Sequence, residues 1–289
     1  MRPRFSILVV CLNPGDKLNK TLKSIEKQTY QDYEVLIKDG GSKDGTIEAL
    51  KRQQDNVAEA SLKKEQDLHF AKGFLSRVRI VCRQDTGIYD AMNQAVEEST
   101  GEFIYFLNCG DYFANEKVLK DMAAFMEKHP FEKAIYYGNI FERLTGQVVS
   151  SNPSMDAFGC YRNVPCHQAC FYERELLLAH PFVTTYKVRA DYEQFLWCFF
   201  EGAAQTVYTG LLIADYEGGG FSETKENRMR SAREHKEIVH KYMSRGQIFK
   251  YKMILWITLA PLRTKLAQNE KTAKVYNWGK SLLYRVRSK

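Results

Sequence analysis

The chain has 289 residues, 44% of them hydrophobic and 27% charged, which excludes global disorder and allows one large domain with an appendage or two small domains. Its net charge of +7 is uneven, because residues 225–289 hold 17 Lys or Arg against 4 Asp or Glu and leave −6 on residues 1–224. The seven cysteines form no Cys-x-x-Cys pair, which argues against a structural zinc site or a disulfide framework and favours a reducing cytosol.

Strands and helices alternate over the first part of the chain. Predicted strands cover residues 5–11, 33–38, 78–82 and 103–107, and predicted helices cover residues 43–51 and 89–97. A further helix follows the first strand, with Leu18, Leu22 and Ile25 on its inner face. Such alternation implies right-handed crossovers and a mostly parallel sheet. The apolar run at residues 5–11 is too short for a signal-peptide core, so we expect no secretion signal.

The second half of the chain changes character. Short strands of antiparallel type are predicted at residues 134–140 and 146–149, further strands at 166–172 and 204–213, and an aromatic-rich helix at 192–201. Residues 52–76 are polar and indicate a solvated insertion or a helix extension. From residue 223 the pattern is helical and basic. We therefore predict an α/β catalytic domain over residues 1–222 and a basic helical tail over residues 223–289.

Polar side chains follow the predicted parallel strands at the points where the strands end. They are Asn13, Asp39, Asp85 and Asp111, one after each strand. The carboxyl edge of an open α/β sheet is where ligands bind. The segment at residues 39–46 contains three glycines, which let a ligand approach the backbone, and its carboxylate can accept from a base or a ribose hydroxyl. A tight turn with a helix cap explains the same pattern.

The loop Asn108-Cys109-Gly110-Asp111 would place a carboxylate beside a bound diphosphate. Two anionic groups tolerate each other only with a divalent cation between them. Mg²⁺ or Mn²⁺ suits oxygen ligands and accepts substrate phosphates as further ligands. His167 is a candidate additional ligand, since Mn²⁺ accepts imidazole better than Mg²⁺ does. A hydrogen-bonded histidine on a strand is the alternative.

The order of these motifs resembles glycosyltransferase family 2. The resemblance rests on Asn13, the segment Asp39-Gly40-Gly41-Ser42-Lys43-Asp44-Gly45-Thr46, the segment Asp85-Thr86-Gly87-Ile88-Tyr89-Asp90-Ala91-Met92-Asn93, and the segment Asn108-Cys109-Gly110-Asp111. It is strong over residues 5–113, fair to about residue 222 and absent beyond. It implies a GT-A (Rossmann-like) fold, with a mostly parallel central sheet flanked by helices, and transfer of a sugar from a nucleotide-diphosphate donor with inversion at the anomeric carbon.

The resemblance also implies roles for individual residues. The nucleotide-sugar-binding set is Asn13, Asp39, Gly41, Asp85, Asp90, Asn93 and Asn108. Within it, Asp39 would contact the nucleobase, while Asn13 and Asp85 would line the nucleotide pocket. Asp111 would bind Mn²⁺ or Mg²⁺. The usual Asp-x-Asp motif is reduced here to an Asn-x-Gly-Asp form, as in a subgroup of bacterial polysaccharide enzymes, which favours assistance from His167.

An inverting transfer needs a base that deprotonates the acceptor hydroxyl. The candidate is Asp191, which matches the position of the family's base just before a helix. Glu193 is the second choice, because two residues further along a helix its side chain points elsewhere. The alternative for Asp191 is a plain helix N-cap.

Two segments of the second half have more than one possible role. The glycine-rich segment at residues 217–222 is either a lid over the diphosphate or a linker. The tail alternates basic with apolar residues, which favours an anionic membrane surface over nucleic acid, and a solvated appendage is the third alternative. Its apolar block at residues 253–260 is too short to span a bilayer.

These features predict an inverting hexosyltransferase, cytoplasmic and peripheral at the inner face of the cell membrane. We expect it to move a sugar, with a UDP-sugar favoured, to a lipid-linked glycan acceptor in bacterial surface polysaccharide synthesis. A dinucleotide oxidoreductase is disfavoured, because residues 11–15 follow the first strand without a Gly-x-Gly-x-x-Gly motif. A nucleotidyltransferase is disfavoured too, because it needs a basic glycine-rich loop after the first strand to hold a triphosphate, and residues 11–15 do not form one. A non-catalytic module that binds nucleotide sugar or nucleic acid is the remaining alternative.

Overall fold

The structure is a computed structural model that describes residues 2–59, 70–219, 224–258 and 278–279. Its strands are β1 (Phe5–Cys11), β2 (Tyr33–Asp39), β3 (Val78–Cys82), β4 (Phe103–Phe106), β5 (Tyr112–Phe113), β6 (Ala134–Glu142), β7 (Gln147–Val149), β8 (Cys170–Glu173) and β9 (Gln205–Tyr216). Its helices are α1 (Asp16–Glu26), α2 (Thr46–Glu59), α3 (Lys72–Leu75), α4 (Ile88–Glu98), α5 (Val118–Lys128), α6 (Ala157–Arg162), α7 (Arg174–Ala179), α8 (Ala190–Phe200), α9 (Lys225–Tyr242) and α10 (Arg245–Ile257).

The strands form one mixed sheet in the order β3-β2-β1-β4-β8-β6-β9-β5, with β7 beside β6. β3, β2, β1 and β4 are parallel to one another, as predicted. β8 then pairs antiparallel with both β4 and β6, while β9 runs parallel to β6. The predicted α/β class is confirmed, and the parallel half of the sheet is the half whose strand ends carry the candidate site.

Strand β1 lies in the middle of the core. Phe5, Ile7 and Val9 pack into the hydrophobic cluster that contains α1 and α5. Leu8 and Val10 face the opposite side of the sheet and pack into the cluster that contains α4 and α8. Successive side chains of a strand point to opposite faces, so a strand covered by helices on both faces must be apolar throughout. This explains the apolar run at residues 7–11, while the buried hydroxyl of Ser6 donates to Glu34 at 2.5 Å.

The helix after β2 starts later than predicted. α2 begins at Thr46 and not at residue 43, because the chain first makes a turn through Gly45, whose φ of +80° is in the left-handed region. The Oδ1 atom of Asp44 accepts the N–H of Thr46, the first residue of the helix, at 3.1 Å. α2 continues to Glu59, and residues 60–69 of the polar segment lie outside the described residues.

The strand predicted at residues 166–172 is shorter than expected. Residues His167–Ala169 form a 3₁₀ turn, closed by the N–H of Ala169 donating to the carbonyl of Cys166 at 2.8 Å, and β8 begins only at Cys170. The hydroxyl of Tyr105 holds this turn by donating to the carbonyl of Gln168 at 2.9 Å. His167 therefore lies in a turn and not on a strand, but it is hydrogen-bonded, as that alternative expected, because its Nε2 atom lies 3.3 Å from Nδ2 of Asn108.

The first part of the predicted tail packs on the body of the protein. Ile238, Val239 and Met243 of α9 belong to the same hydrophobic cluster as α4 and α8, and so do Ile248 and Tyr251 of α10. The predicted boundary at residue 222 therefore does not coincide with a break in the core of the described chain. The later tail, residues 259–277 and 280–289, lies outside the described residues.

Replacing Ile238 with Ala should lower the free energy of unfolding by about 2–5 kcal/mol, because a completely buried side chain leaves a cavity in a shared core. Urea unfolding of the full chain measures the change. Met229→Ala is the matched control, since Met229 is an exposed residue of the same helix. Equal stability of the two variants would mean that α9 does not contribute to the core.

Candidate functional site

The ends of β1 and β2 meet as the sequence predicts. Asn13 has a left-handed φ of +48°, and its N–H donates to the Oγ atom of Ser42 at 2.7 Å. Its Oδ1 atom accepts the N–H of Lys43 at 2.8 Å. The hydroxyl of Ser42 in turn donates to the Oδ1 atom of Asp39 at 2.5 Å. Asn13 and Asp39 are thus linked through one loop, the loop that follows β2.

Asp39 organises the loop after β2. The carboxylate is almost completely buried and accepts the N–H groups of Gly41 at 3.2 Å and of Ser42 at 3.1 Å. Gly41 has a φ of +99°, a conformation that favours glycine, which explains this residue type next to the carboxylate. The tight turn that the sequence offered as an alternative is present. The nucleobase contact of Asp39 stays a prediction.

A buried lysine that sequence reasoning missed connects the second and third strand ends. The side chain of Lys38 has no exposed surface, and its ammonium donates to Asp85 at 2.9 Å and to the carbonyls of Asp39 and Arg83. A buried charge must be paired, so Lys38 fixes where the Asp85 carboxylate points. The available signal was a lysine directly after the apolar residues Val35, Leu36 and Ile37 of the same strand.

Asp85 is also the reason for the first glycine of the loop after β2. A Cβ atom at Gly40 would lie 2.7 Å from Oδ2 of Asp85, which Lys38 holds in place. Any other residue type at position 40 would displace the ion pair. The structure therefore brings Asn13, Asp39 and Asp85 to one edge of the sheet, as the sequence predicts.

Asp90 and Asn93 have partners within the protein. Asp90 accepts the N–H of Thr86 at 2.8 Å, and this backbone hydrogen bond lowers the pKa of Asp90. Both amide atoms of Asn93 bond to the backbone of Phe182, at 2.9 and 2.8 Å. These contacts position α4 and the loop that follows α7. Binding of the nucleotide sugar by these two residues stays a prediction.

A cavity of about 280 Å³ opens next to the strand ends. Its lining includes Asn108, Asp111, His167 and Asp191. The carboxylate of Asp111 is buried, and each oxygen accepts one hydrogen bond, from the N–H of Glu217 at 2.9 Å and from Nε2 of Gln168 at 3.2 Å. Burial raises the pKa of Asp111.

Asn108 and His167 touch inside this cavity. The Nδ2 atom of Asn108 lies 3.3 Å from Nε2 of His167, whose Nδ1 atom lies 3.5 Å from Oδ2 of Asp191. The Oδ1 atom of Asn108 is buried and has no hydrogen-bond partner in the described chain. Buried polar atoms are nearly always paired, so this unpaired amide oxygen, on a residue that lines the cavity, is a candidate contact for a bound ligand.

The oxygen donors at this cavity are of the types that a divalent cation accepts together with ligands from a substrate. The described residues contain no cluster of three or more Asp, Glu, His or Cys side chains arranged for a metal. One carboxylate from Asp111 and one amide oxygen from Asn108 are hard oxygen donors of the kind that Mg²⁺ and Mn²⁺ accept along with phosphates. His167 already contacts Asn108 and Asp191, so its predicted role as a ligand stays a prediction.

Asp191 lies within the first turn of α8 and not before it, so the N-cap alternative is wrong. Its Oδ1 atom accepts the hydroxyl of Tyr89 at 3.1 Å, and its side chain is 27% exposed. Burial alone would raise the pKa of Asp191, but the hydrogen bonds from His167 and from the N–H of Tyr192, together with the charge of Arg189, outweigh it and lower the pKa. Glu193, the second choice, is completely buried and pairs with His180 at 3.0 Å and with Lys241 at 2.5 Å.

A second cavity, of about 510 Å³, lies on the other side of Asp191. The two cavities share Cys166, Val188 and Asp191 in their linings. The lining of the larger one also includes residues of the segment between β7 and α6, of α6 itself and of the segment after it, together with Arg189 and with Arg228 and Ser231 of α9. Asp191 is therefore a carboxylate that both cavities can reach.

Glu234 of α9 fixes the loop that leads to Asp191. Its buried carboxylate accepts three consecutive backbone N–H groups, from Lys187 at 3.0 Å, Val188 at 3.0 Å and Arg189 at 2.9 Å. These groups precede α8 and would otherwise need other partners. Sequence reasoning missed Glu234, because nothing in its surroundings distinguishes it from the other acidic residues of a surface helix.

The arginine after β6 is another residue that the sequence did not reveal. Arg143 donates to the carbonyl of Gly110 and to Asp215 at 3.1 Å, and its guanidinium lies 4.3 Å from the centre of the Tyr112 ring. It thereby fixes the loop that carries Asp111 against β9. The lid predicted at residues 217–222 is described only to Gly219; Glu217 pairs with Lys17 at 2.7 Å.

Comparison with known proteins gives a consistent result. The family model for glycosyl transferase family 2 matches residues 6–152. A PGL/p-HBAD biosynthesis glycosyltransferase of Mycobacterium tuberculosis is 33% identical over 226 residues, which cover 77% of this chain and 80% of the relative.

Solved structures show the same fold at low identity. TarS of Staphylococcus aureus, crystallised as residues 1–349 with UDP, superposes with a TM-score of 0.60 at 17% identity, over 84% of this chain and 68% of that one. The mannosyltransferase PcManGT of Pyrobaculum calidifontis, solved with GDP-Man and Mn²⁺, gives 0.58 at 17% identity, over 100% of this chain and 84% of that one. Among the residues that the structure describes, no helix is both long and apolar enough to cross a membrane.

Replacing Lys38 with Met should lower the free energy of unfolding by about 3–5 kcal/mol, because it leaves the Asp85 carboxylate without its counter-ion. The double variant Lys38→Met/Asp85→Asn should recover part of this loss. Urea unfolding at neutral pH measures both, with Lys43→Met in the exposed loop as the control. A double variant that is no more stable than Lys38→Met would show that the pair is not coupled.

Proposed function

This chain belongs to glycosyl transferase family 2, and from that membership we propose that it is an inverting glycosyltransferase that moves a sugar from a nucleotide diphosphate to a hydroxyl of a lipid-linked glycan. Glycosyltransferase activity follows from the family. The observation that carries the rest is the position of Asp191 where two cavities meet. One cavity would hold the donor sugar and its diphosphate, and the other would hold the acceptor.

The donor would lie along the strand ends and in the smaller cavity. Asn13, Asp39 and Asp85 are assembled at the edge of the sheet, next to the cavity lined by Asn108 and Asp111. TarS is solved with UDP and PcManGT with GDP-Man, so proteins of this fold take either nucleotide. We favour a UDP-sugar as the donor here, and the identity of the sugar is set by contacts that a donor complex would reveal.

Asp111 and Asn108 would hold Mn²⁺ or Mg²⁺, with His167 beside them. When bound, the cation offsets the negative charge of the diphosphate leaving group. The burial of Asp111 favours this arrangement, because a buried carboxylate is stabilised by a cation that replaces the water it has lost.

Asp191 would act as the general base. As the acceptor oxygen attacks the anomeric carbon, its proton passes to a carboxylate oxygen of Asp191. The bond between the anomeric carbon and the diphosphate oxygen breaks on the opposite face, and the diphosphate leaves with the electron pair. Tyr89 and His167 hold the carboxylate at the junction of the cavities while this happens. A single displacement of this kind inverts the anomeric configuration.

Helix α10 supports a location at an anionic membrane. Its exposed apolar residues are Phe249, Met253, Trp256 and Ile257, which recur at helical spacing and form one stripe. Its opposite face, with Ile248 and Tyr251, packs on the core, and its basic residues Arg245, Lys250 and Lys252 flank the stripe. An exposed apolar stripe between basic residues fits the headgroup region of an anionic bilayer. We propose that the enzyme is cytoplasmic and peripheral at the inner face of the membrane, where it builds surface polysaccharide.

Asp191→Asn should keep nucleotide-sugar binding, while transfer falls by about 10²- to 10⁴-fold, the usual contribution of a general base. Turnover with a panel of nucleotide sugars and glycan acceptors measures transfer, and a thermal shift measures binding. Asp121→Asn on the exposed face of α5 is the control. Activity close to wild type would remove Asp191 from the mechanism, and a product with retained configuration would exclude the single displacement.

The double variant Phe249→Ser/Trp256→Ser should bind vesicles that contain phosphatidylglycerol at least tenfold more weakly, because burying a large apolar side chain contributes about 1.5–3 kcal/mol. Vesicle co-sedimentation measures the loss, and hydrolysis of the donor should not change. Met229→Ser removes an exposed apolar residue outside α10 and serves as the control. Undiminished binding by the double variant would disprove a membrane role for α10.

A further inference from the structure

Three arginine side chains line the larger cavity. Arg162 comes from α6, Arg189 from the loop before α8, and Arg228 from the first turns of α9. The lining contains a single carboxylate, Asp191. The cavity that the proposed function gives to the acceptor is therefore cationic, although the first 224 residues of the chain are acidic overall.

Two of these arginines, Arg189 and Arg162, have uncharged partners. Arg189 donates to the Oγ atom of Ser231 at 2.7 Å and to Oδ1 of Asn163 at 3.1 Å, and its guanidinium lies 5.4 Å from the centre of the Tyr192 ring. The guanidinium of Arg162 lies 5.9 Å from the ring of Phe158. Hydroxyl, amide and aromatic partners orient a guanidinium without neutralising it.

Arginines elsewhere in the protein are often neutralised. Ion pairs join Arg4 to Glu102, Arg79 to Glu98, Arg83 to Glu97 and Arg143 to Asp215. Within the described residues, none of the three arginines of the larger cavity lies within 4.0 Å of a carboxylate oxygen. Three unneutralised cations around one cavity of about 510 Å³ raise the local potential for an anion.

We infer that the larger cavity is a subsite for a phosphate or diphosphate group of the acceptor. This inference rests on the proposed function, because it takes the cavity as the acceptor site. Guanidinium groups match the oxygens of a phosphate in a planar, bidentate geometry. The group they bind would anchor the acceptor, so that the hydroxyl of the adjacent sugar reaches Asp191, which lines the same cavity.

The placement of α10 favours a phosphate that joins a glycan to its lipid. Tyr251 of α10 packs on α6, with ring centres 5.4 Å from Phe158 and 5.3 Å from Tyr161. The same short helix carries Arg162 into the cavity. The arginines and the exposed apolar stripe are thus on adjoining elements. This arrangement suits an acceptor whose phosphate lies close to the membrane surface.

The test measures binding of small acceptor fragments to the full chain while UDP and Mn²⁺ saturate the donor site. The probes are glucose 1-phosphate, methyl glucoside and methyl glucuronide, which carry a phosphate, no charge and a carboxylate. Glucose 1-phosphate should bind at least tenfold more tightly than methyl glucoside. The double variant Arg162→Gln/Arg228→Gln should weaken glucose 1-phosphate by about tenfold or more, since it removes two charge-assisted contacts. Both residues are exposed, so folding should be preserved.

Arg230→Gln is the matched control, because it removes the same charge from α9 outside the cavity. The inference is overturned if glucose 1-phosphate does not bind, if it binds no better than methyl glucoside, or if the double variant matches the control. If methyl glucuronide binds as tightly as glucose 1-phosphate, the cavity is a site for an acidic sugar, and the inference of a phosphate subsite is overturned. UDP binding is read separately in the same samples. Its absence would count against the proposed function, whereas its presence without binding of glucose 1-phosphate would count against this inference alone.

Discussion

The arrangement of the site depends on the hydrogen bonds that the Glu234 carboxylate accepts from three consecutive backbone N–H groups. Those groups belong to the loop that enters α8, and Asp191 follows two residues later. A buried carboxylate that accepts three backbone hydrogen bonds holds a loop more firmly than apolar packing alone. The placement of Asp191 between the cavities therefore depends on a helix from the far end of the chain.

This dependence unites the catalytic body with the beginning of the tail. α9 supplies Glu234 behind the loop and Arg228 in front of it, in the wall of the larger cavity. α10 then packs on α6, which forms another part of that wall. An enzyme with the proposed lipid-linked acceptor would gain from this continuity, because the elements proposed to contact the membrane also line the proposed acceptor site.

The sequence predicts the parallel half of the fold well and the tertiary contacts poorly. The hydrophobic pattern of the sequence predicted strands β1 to β4, and the polar residues at the strand ends predicted that Asn13, Asp39 and Asp85 lie at one edge of the sheet. Both signals are local in the sequence. Lys38 and Glu234 were missed because their partners are distant in sequence. Asp85 lies 47 residues from Lys38, and Val188 lies 46 residues from Glu234. The N-cap alternative for Asp191 failed for a related reason. The start of α8 depends on the hydrogen bonds from the preceding loop to Glu234, which is distant in sequence. No local capping residue marks the start of this helix.

The proposed mechanism is tested most directly by a crystal structure of the full chain with a UDP-sugar and Mn²⁺, with the metal located by its anomalous scattering. We expect the metal bound to Asp111 and Asn108, the nucleotide along the ends of β1 to β3, and the anomeric carbon facing Asp191. The larger cavity should stay free of the donor. A donor diphosphate bound to Arg162, Arg189 and Arg228 in place of the smaller cavity would contradict the account, because it would exchange the donor and acceptor sites.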